Sequence, residues 1–147
     1  MADTAFQIGG FQAGAFQQVS IGDSPLSYDF GALAESATKA TGLDYFTVTN
    51  SSGFAVNITI SGTDMAGGNL WDLADDGIVG EMIYALKAGL EGGSYNIIVK
   101  ETAPFNTLKA GLASSATQKW GLILYAPSTF TDGVAKTGTV TITAVAA

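Results

Sequence analysis

The chain has 147 residues with a formal net charge of −7, and 47% of it is hydrophobic while only 13% is charged, against roughly a quarter in an ordinary soluble domain. It contains no cysteine and no histidine, and its six basic residues are all lysines. A Cys/His zinc site, a thiol nucleophile, a histidine general base, a disulfide framework and an arginine clamp on phosphate are therefore excluded.

The acidic balance and the scattered lysines (Lys39, Lys87, Lys100, Lys109, Lys119, Lys136) argue against nucleic acid, which needs clustered positive charge. No apolar run approaches the ~18–20 residues of a membrane-spanning helix, so no membrane partner is expected. MADTAFQIGG lacks the basic region and apolar core of a Sec signal peptide. Either a leader was removed and Met1 added, or the protein is used without secretion.

Residues 1–17 read as an extended N-terminal arm. Ala5-Phe6-Gln7, Gly10-Phe11-Gln12 and Ala15-Phe16-Gln17 repeat a small-Phe-Gln triplet every five residues. That spacing fits neither the period of a strand nor that of a helix, and Gly9, Gly10 and Gly14 permit bends. An arm of this kind offers Phe6, Gln7, Phe11, Gln12, Phe16 and Gln17 to another surface as an assembly interface. The competing expectation is that its phenylalanines fold back onto the protein's own core.

Residues 18–147 read as one antiparallel β-sandwich domain, Ig-like or jelly-roll-like. In chain order, weak strands are expected at Gln17–Ile21 and Leu26–Phe30, with a short helix over Gly31–Lys39. Thr47–Thr49 then leads through Asn50–Gly53, which reads as a hairpin turn, into Phe54–Ile60, where Phe54, Val56, Ile58 and Ile60 alternate with polar residues. Further strands are expected at Glu81–Leu86, Tyr95–Glu101, Thr107–Leu112, Gln118–Tyr125 and Thr137–Val145. Trp120, Leu122 and Leu124 form a core set. Turn signals at Gly67-Gly68, Gly92-Gly93 and Asp132-Gly133 separate the runs, a spacing typical of sandwiches and barrels. Outward faces built from Thr, Ser, Asn and Gly leave sheet edges without the charge that usually blunts them, which points to oligomerisation.

Motifs for chemistry are weak, and no enzyme and no cofactor are expected. Ser36-Ala37-Thr38-Lys39 and Lys136-Thr137-Gly138 fit the S-x-x-K and K-T-G patterns of serine β-lactamases, but the chain is too short for that scaffold and lacks S-D-N. Asp64, Asp72, Asp75 and Asp76 are candidate calcium ligands. From Asp72, Gly77 meets the EF-hand glycine position, while Ala74 and Ile83 break the template. The plain alternative is a solvated loop with Trp71 and Leu73 turned inward as plugs. Glu81, Glu91 and Glu101 are the remaining carboxylates a glycosidase would need, without the aromatic wall of a sugar cleft. The sequons at Asn50 and Asn57 carry no expectation.

Two resemblances follow from these residues. The tandem triplets of AFQIGGFQAGAFQ resemble N-terminal stretches of tailed-bacteriophage structural proteins. Phe46–Asn50, Gln118–Leu122, Ala126-Pro127 and Gly138–Thr143 resemble immunoglobulin-like sandwiches of surface and fibre proteins, such as TasA-like biofilm subunits. The first resemblance implies a virion structural protein, a capsid decoration or cement protein on the outer capsid surface. Its partners would be itself, with a trimer favoured, and a major capsid protein. The second implies an extracellular fibre or surface-layer subunit that assembles by strand exchange.

Overall fold

Alternation of apolar with small polar residues produces strands in all the regular elements of residues 19–147. The computed structural model describes residues 19–147, and among them there is no helix. The strands are β1 (Ile21–Ser24), β2 (Thr38–Ala40), β3 (Phe46–Asn50), β4 (Val56–Gly62), β5 (Asp72–Leu73), β6 (Ile83–Leu90), β7 (Ile97–Ile98), β8 (Asn106–Leu112), β9 (Thr117–Tyr125) and β10 (Val140–Ala146). They form two sheets, as an all-β sandwich requires. The first follows the order β1-β3-β9-β6-β5, with β2 also on β9 and β7 also on β6; the second is β10-β4-β8. Pairing is antiparallel except between β5 and β6, which run parallel over two residues.

β9 is the spine of the first sheet. Its first half pairs with β3, from Phe46↔Trp120 to Thr49↔Thr117, and its second half pairs with β2, from Thr38↔Tyr125 to Ala40↔Ile123. Residues 41–45 bridge those two stretches and lie over Gly121. Leu122 O accepts from Thr41 N (2.9 Å), and Leu122 N donates to Thr41 Oγ1 (3.0 Å). A Cβ on Gly121 would overlap the Gly42 carbonyl, and one on its register partner Gly89 would overlap that of Ser94. These two glycines are where backbone settles directly onto the sheet.

Alternate residues of the two sheets meet between them. Val48, Val56, Ile58, Ile60, Ala88 and Val99 are completely buried, and Phe46 stacks on Trp120 with ring centroids 4.6 Å apart. Burial of each large aliphatic side chain contributes about 1.5–3 kcal/mol. Trp120, Leu122 and Leu124 line this core as expected, and Trp71 and Leu73 plug it. Phe54 is only partly buried and packs at the margin. Asp23 on β1 accepts a 3.0 Å hydrogen bond from Trp120 Nε1. Partial burial raises this carboxyl above its ordinary range, and the indole hydrogen bond offsets only part of the rise.

Several local expectations are corrected. Residues 50–53 do not close a hairpin, because β3 and β4 belong to different sheets; the segment is a corner that carries the chain from one sheet to the other. Fully buried Asn50 makes this possible. Its Nδ2 donates to the carbonyls of Phe54 (2.8 Å), Leu112 (2.9 Å) and Ala113 (3.1 Å), and its Oδ1 accepts from Ser52 N (2.9 Å). One side chain thereby satisfies backbone groups that a sheet ladder would otherwise serve.

Gly31–Lys39 is not helical. Ser36 N donates to Pro127 O and Ala126 N donates to Ala37 O, so this part of the backbone is held by residues 126–127, and the end of the segment becomes β2. Leu26–Phe30 is not a strand either; Tyr28 packs edge-on against both Phe30 and Tyr45, at 4.8 Å each. Of the expected strand Gln17–Ile21, residues 17 and 18 lie outside the described residues; Ile21 opens β1, which runs on to Ser24, while Tyr95–Glu101 shortens to β7 and Thr137–Val145 shifts to Val140–Ala146.

Candidate functional site

β10 borders the second sheet with a seven-residue edge, Val-Thr-Ile-Thr-Ala-Val-Ala, that contains no charge and no proline. It pairs with β4 from Val140↔Gly62 to Ala146↔Val56, and among the described residues no strand pairs with its other side. Val140, Ile142 and Ala144 pack against the core, while Thr141, Thr143 and Val145 are exposed. Free edges of folded proteins are ordinarily protected by lysine, proline, a bulge or a covering loop. Charge and proline are both missing from this strand.

Beside this edge lies the corresponding edge of the first sheet, β1. A groove of about 260 Å³ separates them, walled by Val19–Ile21 on one side and Thr141–Ala144 on the other. Its lining is uncharged, with Val19, Ile21, Ile142 and Ala144 alternating with Ser20, Thr141 and Thr143. The β1 wall is fixed by the corner: Ser20 N donates to Ser52 Oγ (2.7 Å), and Ser51 N donates to Ser20 O (2.9 Å). The volume falls just below the ~300–1,000 Å³ of ordinary small-molecule pockets. It suits one side chain better than a cofactor.

The expected interface residues Phe6, Gln7, Phe11, Gln12, Phe16 and Gln17 lie outside the described residues. The described chain begins at Val19, on the wall of this groove. Sequence reading missed the groove, since it joins residues 19–21 to residues 141–144. The uncharged run VTITAVA was the available signal.

The acidic residues form a second, shallower feature. Asp64, Asp72, Asp75, Asp76 and Glu101 line one open depression, but most of these carboxylates already serve the backbone. Asp64 Oδ1 accepts from Leu73 N (2.8 Å), Asp75 Oδ1 from Glu101 N (2.7 Å), and Asp76 Oδ1 from Ile78 N (2.9 Å). Asp75 is held below its ordinary range, chiefly by a hydrogen bond with the Thr102 side chain. Glu101, although exposed, is pushed up by slight desolvation at its carboxyl, and the charges of Asp64 and Asp75 add to the rise. Among the described residues no three carboxylates are arranged to hold a metal ion.

Of the remaining carboxylates, Glu91 lies 3.9 Å from Lys119, and neither Glu81 nor Glu91 lines the depression. Lys136, from the K-T-G match, is nearly buried and committed. Its Nζ contacts Asp132 Oδ1 at 2.9 Å, donates to Gly67 O at 2.6 Å, and sits 5.4 Å from the centre of the Trp71 ring. It ties the 64–71 loop to the 132–136 segment.

What fold and edge define together is an all-β, sandwich-like protein in which the β10 edge is uncharged and, among the described residues, unpaired. Compared with protein-family models, curated proteins and solved structures, the chain matches none.

Proposed function

We propose that this chain is a structural subunit that works by associating with copies of itself and with a larger shell. In this reading it is a capsid decoration protein on the outer surface of a tailed bacteriophage, with a trimer as the favoured oligomer and a major capsid protein as its second partner. The observation that carries the assembly reading is the uncharged, seven-residue edge of β10, open among the described residues. Edge pairing supplies main-chain hydrogen bonds to a partner strand. The triplets around Phe6, Phe11 and Phe16 support the virion setting, and a net charge of −7 suits a position outside the shell, away from packaged DNA.

The groove beside β10 favours a second reading, a fibre subunit that polymerises by strand exchange. Light scattering on the full chain separates the two. A discrete trimer supports the decoration reading, and open-ended polymers support the fibre. Thr143→Lys places a charge on the edge and dissociates either assembly. A chain that stays at one copy, 15.0 kDa, across the accessible concentration range refutes both.

A further inference from the structure

We infer that the groove between β1 and β10 receives the N-terminal segment of a second copy of this chain, which adds a strand to the outer edge of β10 and places a phenylalanine in the groove. This inference rests on the assembly reading above and specifies its contact.

Length and position come first. Eighteen residues precede Val19 and can span up to about 60 Å when extended, whereas seven-residue β10 covers about 23 Å at 3.3 Å per residue. The segment is long enough to cross to a neighbour and still cover the whole edge. It joins the described chain at Val19, so association around this flank brings each copy's segment to another copy's groove.

Direction favours exchange over self-filling. Ser20 is bonded at Ser51 and Ser52, so β1 followed backward heads for the corner at residues 50–55. The far end of β10 meets that same corner, where Ala147 N donates to Ala55 O. To run beside β10 of its own molecule, the chain before Val19 has to reverse there at once. A second copy enters without that reversal.

The chemistry agrees on both sides. The groove, about 260 Å³, is uncharged and mixes apolar Val19, Ile21, Ile142 and Ala144 with the hydroxyl residues Ser20, Thr141 and Thr143. The segment before Val19 carries Asp3 as its one charged side chain. With phenylalanine at positions 6, 11 and 16, every seven-residue stretch of it contains at least one. Whatever register the pairing takes, a ring is within the length of the edge. Because five is odd, Phe11 lies on the opposite face from Phe6 and Phe16, so the register also decides which one of the three faces the groove.

The chain has no cysteine, so single cysteines report the contact cleanly. Ala15→Cys and Gln12→Cys are each mixed with Thr141→Cys, Thr143→Cys or Val145→Cys and oxidised, and light scattering of each mixture is recorded beforehand. The expected result is a disulfide between two different chains, identified by its linked peptide, for one register of these pairs. Replacing Phe11 and Phe16 with serine lowers the linked fraction about tenfold or more, as loss of a buried ring does. If an Ala15→Cys/Thr143→Cys chain closes on itself at high dilution while the mixed single variants do not link, the molecule fills its own groove and the inference is overturned. Assembled protein with no linked pair overturns the inference and leaves the assembly reading standing. Protein that remains a single copy overturns both.

Discussion

Asn50→Ala removes the side chain that turns the chain between the two sheets, and its cost can be worked from the hydrogen bonds. Four contacts go with the amide. Those to Leu112 O and Ser52 N are fully buried, and those to Phe54 O and Ala113 O are partly accessible. Water can replace the accessible pair at little cost. Each buried group left without a partner costs about 1–3 kcal/mol, so the two together come to about 2–6 kcal/mol, a large share of the ~5–15 kcal/mol by which a domain is stable. At about 2–4 °C per kcal/mol for a chain of this size, melting falls by roughly 8–16 °C around a central 4 kcal/mol. Urea denaturation followed by tryptophan fluorescence and circular dichroism checks this, with Gly53→Ala as the control. Gly53 lies in the same corner, and a Cβ there meets nothing within 4 Å. If Asn50→Ala costs less than about 1 kcal/mol, or no more than Gly53→Ala, the corner is not held by this side chain.

Three further substitutions test other parts of the structure. Gly121→Ala should cost about 3 kcal/mol or more, the upper range for overpacking, because its Cβ displaces the Gly42 carbonyl; Gly133→Ala, in open space, should stay within ~0.5 kcal/mol, and equal denaturation midpoints would sink the close-approach argument. Asp23→Asn should stabilise the protein at neutral pH. The folded Asp23 has a raised pKa, so the folded state loses stability as pH rises through the acid's range, while the amide still accepts from Trp120 Nε1. The gain should vanish below the ordinary value of 3.8, and denaturation at pH 3 and pH 7 that shows no such difference refutes it. Asp132→Asn has the opposite sign. The Asn69 N–H first, and Lys136 second, hold Asp132 below its ordinary 3.8, so its stabilisation is present above that value and lost as pH falls through the depressed folded value. Thermal melts of the two proteins should be furthest apart near neutrality and converge in strong acid.

Fold class was legible because alternation in Val56–Ile60 and Trp120–Leu124 reflects one-sided burial, whichever neighbour a strand pairs with. For the same reason the partner was not legible. Periodicity reports the face of β4 that is buried and is silent on the sheet it joins, so Asn50–Gly53 read as a hairpin. The expected helix over Gly31–Lys39 failed where another loop took over backbone hydrogen bonds, at Ser36 and Ala37, which bond Pro127 and Ala126. Gly121 and Gly89 resemble any turn glycine until the crossing backbone is seen. The Trp71 and Leu73 plug was readable from apolar residues set in an acidic loop. The groove was not, because its walls come from opposite ends of the described chain.

The corner at Asn50 also has a kinetic meaning. By sending consecutive strands to different sheets, it replaces a local pairing with remote ones: Val48 finds Gln118, and Thr59 finds Thr143, 84 positions away. Chains dominated by such distant pairings fold in milliseconds to seconds, slower than chains whose contacts are local. Throughout that search β4, the centre of its sheet, shows both edges to solvent. Refolding yield should therefore fall as protein concentration rises, and dilution should restore it.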